Sequence, residues 1–208
     1  PAPTTGIITP GVVTALSGPS GAGKSTIVSC LLADMAPDAG RIALRQSAST
    51  STDDEIALSD IDPTAWRRQI SWVPQSPTLV PGTVLDNMGD LPLDALTAAA
   101  QATGFDTVVA TTPEGWNSVI GSGGVGLSVG QRQRLALTRA LAAHSQIVIL
   151  DEPTAHLDAV SEETVVRAIN AMRDAGRTVI VIAHRAAMME AADVVIDVRS
   201  AADEEARA

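Results

Sequence analysis

The sequence predicts an α/β fold: a mainly parallel sheet flanked by helices, with a small helical lobe inserted. Three observations carry this. β-Favouring apolar runs at residues 12–17, 147–150, 178–182 and 194–198 read as buried strands. Segments of helical composition at 24–35, 129–143 and 164–175 alternate with them, and such alternation builds a parallel sheet. Between residues 76 and 126 the character changes. There an alanine-rich helical run at 93–103 sits among the breakers Pro77, Pro81, Gly82, Pro92, Gly104, Pro113 and Gly115. The length of 208 residues suits one domain with a sub-lobe, read as residues 1–208 with the helical subdomain at about 76–145.

Taken in order, residues 1–10 form a loose lead-in and 12–17 the first strand. Gly18 to Gly23 make a glycine-rich turn, and the helix at 24–35 is closed by Pro37. Residues 46–54 read as a polar loop, and 71–73 as a short strand ending before Pro74. The helix at 164–175 ends at Gly176, and the acidic, alanine-rich tail at 201–208 is expected to fray. The chain shows no internal repeat.

Composition narrows the function. Fourteen basic against 24 acidic side chains give a net charge of −10, which argues against nucleic acid or anionic membrane as a partner. Hydrophobic residues at 45% exclude a disordered chain. No apolar run approaches the ~18 residues that span a bilayer. Residues 1–10 have neither the basic start nor the apolar stretch of a signal peptide. The lone Cys30 excludes a disulfide scaffold, fits a reducing compartment and reads as a small core residue. Trp66, Trp72, Phe105 and Trp116 are the only aromatics, and Lys24 is the only lysine.

That lysine lies in Gly18-Pro19-Ser20-Gly21-Ala22-Gly23-Lys24-Ser25-Thr26, a G-x-x-x-x-G-K-[ST] loop between a predicted strand and a predicted helix. Glycines let backbone N–H groups converge on phosphate oxygens, and the helix N-terminus adds a positive dipole. Lys24 is placed to reach the β- and γ-phosphates, and the Ser25 hydroxyl to ligate Mg²⁺. The strand at 147–150 runs straight into Asp151 and Glu152, and ligands of parallel sheets gather at the carboxyl ends of strands. Asp151 can hold Mg²⁺ there, and Glu152 can act as general base on water. A G-x-G-x-x-G at Gly121, Gly123 and Gly126 also matches a dinucleotide fingerprint, but no βαβ unit precedes it and the phosphate role is already filled. In Leu127-Ser128-Val129-Gly130-Gln131, Ser128 and Gly130 stand before a helix, where they are either a plain N-cap or a second anion site.

Together these motifs resemble the ATP-binding cassette (ABC) ATPase family, a branch of the P-loop NTPase fold. Residues 18–26 resemble its Walker A, Gln75 in Trp72-Val-Pro-Gln75-Ser-Pro its Q-loop, and Leu127–Gln131 its signature. Residues 147–152 resemble Walker B, Ala155-His-Leu-Asp158 the D-loop, and His184 the switch histidine. The resemblance runs from about residue 10 to 198. It implies ATP and Mg²⁺ as ligands, with Ser25, Gln75 and Asp151 about the metal and Glu152, His184 and Gln75 catalytic. It also implies a head-to-tail pair of cassettes, in which Ser128 and Gly130 contact the partner's nucleotide and Asp158 crosses the interface. Gln75 would couple to transmembrane domains, which places the chain on the cytoplasmic face of a membrane.

The stretches Asp62–Gln75 and Pro113–Gly121, with its Trp116, resemble exporter-type cassettes. The nearest resemblance is to a subunit of the heterodimeric bacterial thiol exporters, which move cysteine or glutathione and support cytochrome bd assembly. A heterodimer, and a chain excised from a longer exporter, are the matching expectations. Val129 replaces the signature's second glycine, which weakens that half-site. Ser122 stands where many exporters carry a glutamate. His156 replaces a residue that is usually small. No aromatic precedes Trp66, so the adenine-stacking residue expected upstream of Gly18 is missing, and poor base discrimination follows. A DNA-repair ABC ATPase is the rival from another class, but the stretch from Lys24 to Ser128 leaves no room for its long coiled coil. A regulatory nucleotide-binding module is the third reading. Glu152 and His184 argue against it and Val129 for it.

Overall fold

The computed structural model describes residues 4–45, 54–121, 124, 126–155 and 159–199. The chain runs through β1 (Val13–Ser17), α1 (Lys24–Leu31), β2 (Ala43–Arg45), β3 (Glu55–Ala57), α2 (Pro63–Arg67) and β4 (Ile70–Val73). Then come β5 (Gly82–Thr83), α3 (Leu93–Thr103), α4 (Phe105–Thr111), β6 (Val119–Ile120) and α5 (Val129–Ala142). It finishes with β7 (Ile147–Asp151), α6 (Ala159–Asp174), β8 (Thr178–Ile182), α7 (Ala186–Glu190) and β9 (Val194–Asp197). The central sheet has the order β4–β7–β8–β1–β9, and every pairing in it is parallel.

Alternation along the strands sends side chains to two different cores. Val13, Ala15, Val148, Leu150, Val179 and Val181 face α5 and α6, where Leu137, Ile169 and Met172 meet them. Leu16, Ile149, Ile180 and Ile182 face α1, against Val28 and Leu32. A third core belongs to the helical lobe: Leu79, Met88, Leu96, Phe105 and Ile120 close on Leu135 of α5. Trp116 packs there too, its ring centroid 6.0 Å from that of Phe105. Thr103 and Thr138 put the one hydroxyl on the other at 2.6 Å, so two polar groups between α3 and α5 are satisfied without water. The fold is the mainly parallel α/β architecture expected from the sequence, with β1, β7, β8 and β9 in place to within a residue or two.

Two helices depart from expectation. α1 stops at Leu31 instead of residue 35. Trp66 Nε1 donates to Leu31 O at 2.7 Å, and Arg67 donates to Leu32 O and Ala33 O at 3.0 and 2.9 Å, so α2 takes up the carbonyls that another turn of α1 would use. Ala33, with φ at 55°, turns the chain away. α6 starts at Ala159 instead of residue 164, with Glu162 in its first turn, where a carboxylate suits the helix dipole.

α2, α4 and the antiparallel pairs β2–β3 and β5–β6 are further elements that the sequence reading lacked. α2 had a signal: Asp62 accepts from Ala65 N at 2.7 Å, with Pro63 opening the helix. The polar loop at 46–54 lies outside the described residues but for Asp54, and the tail at 201–208 wholly so.

Candidate functional site

The register of the sheet decides which side chains meet. Val73 pairs with Leu150, and Asp151 with Ile182. Continued past the strand ends, that register sets Gln75 opposite Glu152 and carries His184 to the other side of it. The side chains complete the approach. Gln75 Nε2 donates to Glu152 Oε2 at 2.8 Å, and His184 Nε2 lies 2.9 Å from Glu152 Oε1. Glu152 itself has φ at 47°, a left-handed backbone uncommon outside glycine and found at strained functional positions.

Next to this group lies the turn between β1 and α1. Gly23, with φ at 102°, is the N-cap of α1 and contributes no side-chain cap, so the helix N-terminus is left open to an anion. Gly18 is needed for packing: a Cβ there would stand 2.0 Å from Val198 O. Pro19, Ser20, Gly21 and Ser25 are exposed, Gly18, Gly23 and Thr26 half-buried, and Ala22 buried. Lys24 is 5% exposed, and its Nζ donates to Gly18 O and Pro19 O at 2.8 Å each. Burial pushes its pKa down, and the charges of Glu152 and Asp151 push back.

Asp151 ends β7 beside Glu152. Burial raises its carboxyl above the ordinary range, Glu152 adds to the rise, and Lys24 and His184 offset part of it. An ionised carboxylate under that strain favours a cation. Ser25 Oγ, Gln75 Oε1 and the Asp151 carboxylate are oxygen donors, the set that suits Mg²⁺. The residues present therefore fit both a phosphate and a hard cation.

Ser128 caps α5 in a capping box. Its Oγ accepts from Gln131 N at 3.2 Å, and Gln131 Oε1 accepts from Ser128 N at 2.8 Å. The cap does not use up the serine, because a hydroxyl that accepts one hydrogen bond still has a proton to donate. Leu127 anchors the motif in the lobe core, Ser128 and Val129 are exposed, and Gly130 and Gln131 are half-buried. Among the described residues no hydrogen bond joins this motif to Lys24, Ser25 or Glu152. The structure thus gathers Lys24, Asp151, Glu152, Gln75 and His184, and among the described residues the hydrogen bonds of residues 127–131 stay within their own turn and α5. Asp158, His156, Ser122 and Gly123 lie outside the described residues.

Two shaping residues escaped the sequence reading. The Asn87 amide bonds Val80 N, Val80 O and Thr83 O, pinning the segment after Gln75. Arg132 Nη1 donates to Leu127 O at 2.9 Å and holds the turn into α5. Neither carries a motif of its own.

A family model described as ABC transporter matches residues 3–155. The chain belongs to the ABC transporter family. What it matches is the ATP-binding cassette of such transporters, exporters among them. A solved bacterial Atm1-family ABC exporter with ATP bound superposes with a TM-score of 0.78 at 29% identity, over 96% of this chain and 35% of that one. The ATP-dependent lipid A-core flippase of Burkholderia orbicola is 38% identical over 192 residues, 91% of the cassette and 31% of the flippase. The mycobactin import ATP-binding/permease protein of Mycolicibacterium thermoresistibile is 37% identical over 195 residues, 92% of the cassette and 32% of that protein. The cassette therefore spans about a third of the length of these curated relatives.

Proposed function

We propose that this cassette binds Mg²⁺-ATP and hydrolyses it to drive transmembrane export, working at the cytoplasmic face of a membrane as one of a head-to-tail pair. The observation that carries the reading is the meeting of Gln75, Glu152 and His184 at the strand ends, beside Lys24 and Asp151. Bound Mg²⁺ would supply charge neutralisation at the β- and γ-phosphates.

The chain's own residues do the rest. Loop N–H groups from Gly21 to Thr26 take the phosphates, and Lys24 exchanges its two carbonyl partners for phosphate oxygens, gaining charge-assisted bonds in place of neutral ones. Glu152 acts as general base. Its Oε2 accepts one bond from Gln75, its Oε1 lies 2.9 Å from His184 Nε2, and a carboxylate has further lone pairs for a water proton. Gln75 and His184 orient that carboxylate, and His184 has a second role on the γ-phosphate. Ser128 and Gly130 serve the partner's nucleotide, and Asp158 the interface between cassettes.

A docking surface for transmembrane domains suits the region around β5 and β6, where Val80 and Val119 stand 57% and 77% exposed beside the segment that Gln75 begins. Within the exporters we favour a thiol exporter subunit with a non-identical partner cassette, on the likeness of residues 62–75 and 113–121. Val129 favours a second reading, a low-turnover regulatory half of such a heterodimer: a valine 52% exposed in the first turn of α5 crowds the approach of a phosphate that glycine would admit.

The experiment is Mg²⁺-dependent ATP hydrolysis by the full-length transporter in membrane vesicles, with cysteine and glutathione tested as cargo. ATP hydrolysis without thiol movement removes the cargo assignment and keeps the ATPase. Hydrolysis that survives loss of Glu152 removes the base.

A further inference from the structure

His184 stands between two fixed points. On one side Ala183 N donates to Leu16 O at 3.2 Å and holds the end of β8 against β1. On the other, Arg185 is the N-cap of α7, and its carbonyl accepts from Met188 N and Met189 N at 3.2 Å. The Arg185 side chain then crosses to α6, where its Nη1 lies 3.0 Å from Glu162 Oε2. Glu162 is the more buried partner, with its side chain 15% exposed against 42% for Arg185. Its other oxygen, Oε1, is buried and accepts no hydrogen bond among the described residues. A carboxylate so placed depends on Arg185, the cation paired with it among the described residues.

We propose that Arg185 and Glu162 are positioning residues for hydrolysis: their ion pair ties the first turn of α7 to the first turn of α6 and thereby keeps His184 Nε2 on Glu152 Oε1. The inference rests on the ATPase reading of Glu152 and His184. Neither Arg185 nor Glu162 bonds to Glu152. They act through the backbone of His184, which is one residue from the N-cap that the pair fixes. An ion pair with its arginine this exposed adds little to stability. Its effect is on geometry, and a catalytic group displaced by about 1 Å costs on the order of 100-fold in rate.

The test is ATP turnover of the full-length transporter carrying Arg185→Ala, Glu162→Gln or Arg185→Lys, each alone and combined with His184→Ala. Arg185→Ala and Glu162→Gln are expected to lower kcat about tenfold, with KM for ATP held within about twofold. Arg185→Lys, which keeps the charge, is expected to restore most of kcat. Combined with His184→Ala, neither substitution should lower kcat further by more than about twofold, because residues that act as a unit are non-additive. The proposal falls if Arg185→Ala leaves kcat intact, lowers it equally with and without His184, or raises KM in step. Where the His184→Ala protein turns over too slowly to compare, the lysine rescue decides alone: no rescue sinks the proposal. Wild-type protein that binds ATP without hydrolysing it refutes the ATPase reading instead, and this inference goes with it.

Discussion

Gln75 Nε2 and Glu152 Oε2 stand 2.8 Å apart although 77 positions separate them in the chain. The contact follows from β4 lying beside β7 with Val73 opposite Leu150. Two loops that begin on neighbouring strands thus deliver an amide and a carboxylate to one point.

Replacing Glu152 by Gln should keep nucleotide binding and lower turnover by about 10²–10⁴-fold, the usual contribution of a general base. The amide still accepts a hydrogen bond but takes no proton from water. Equilibrium ATP binding and steady-state hydrolysis, measured side by side, check this. Near-normal turnover would return the role of base to another group.

Lys24→Ala should weaken nucleotide binding itself, by about 10–100-fold, which corresponds to one or two charge-assisted hydrogen bonds. Lys24→Arg should not repair the loss. The lysine is 5% exposed, and a planar guanidinium does not fit where a compact ammonium reaches two carbonyls. Binding of a fluorescent ATP analogue, with ATP competition, reads both variants.

Asp151→Asn should stabilise the nucleotide-free protein at neutral pH. Because burial and Glu152 raise the folded-state pKa of Asp151, its ionised form costs stability above that raised value. The cost fades as pH falls through it and is gone below the ordinary aspartate value of about 3.9. The variant's gain, about 1–3 °C in Tm at pH 7–8, should therefore shrink on acidification. In exchange, Mg²⁺-dependent ATP binding should weaken. Thermal melts across pH, with and without Mg²⁺-ATP, test both halves, and a gain that grows as pH falls would contradict the sign.

Ser128→Arg should abolish ATP-dependent association of two cassettes while leaving nucleotide binding to the same chain unchanged, since the hydrogen bonds of Ser128 go to Gln131 and those of Lys24 to its own loop. Sedimentation of the Glu152→Gln protein with its partner cassette, with and without ATP, measures this. Lost binding with association intact would reduce Ser128 to a helix cap.

The main strands were legible because each is a short apolar run cut off by a polar or glycine residue; Lys24, Asp151 and Glu152 were marked by a glycine-rich motif and a strand end, whereas Gln75 and His184 were singled out only by the family resemblance. What was not legible came from contacts distant in sequence. α1 ends where it does because Trp66 and Arg67, more than thirty positions away, take its carbonyls. α4 was hidden because Gly104, with φ at 67°, reads as a terminator and serves as the C-cap of one helix and the N-cap of the next. The 2.9 Å approach of His184 to Glu152 needs the register of β7 on β8, which no single segment encodes. Arg132 and Asn87 were missed because their partners are backbone atoms, and backbone atoms leave no mark on composition.

α5 belongs to two cores at once: Leu135 and Ala142 pack in the helical lobe, while Ala136, Leu137 and Ala140 pack under the sheet. A helix gripped on both flanks behaves as an axle. Its fourteen residues span about 21 Å. A tilt of about 10° around the far end would swing Ser128 through roughly 4 Å, more than the length of a hydrogen bond. Small rotations of the lobe, of the size that a neighbouring domain could impose, are thus magnified at Ser128 into a displacement that decides whether its hydroxyl reaches a given partner atom.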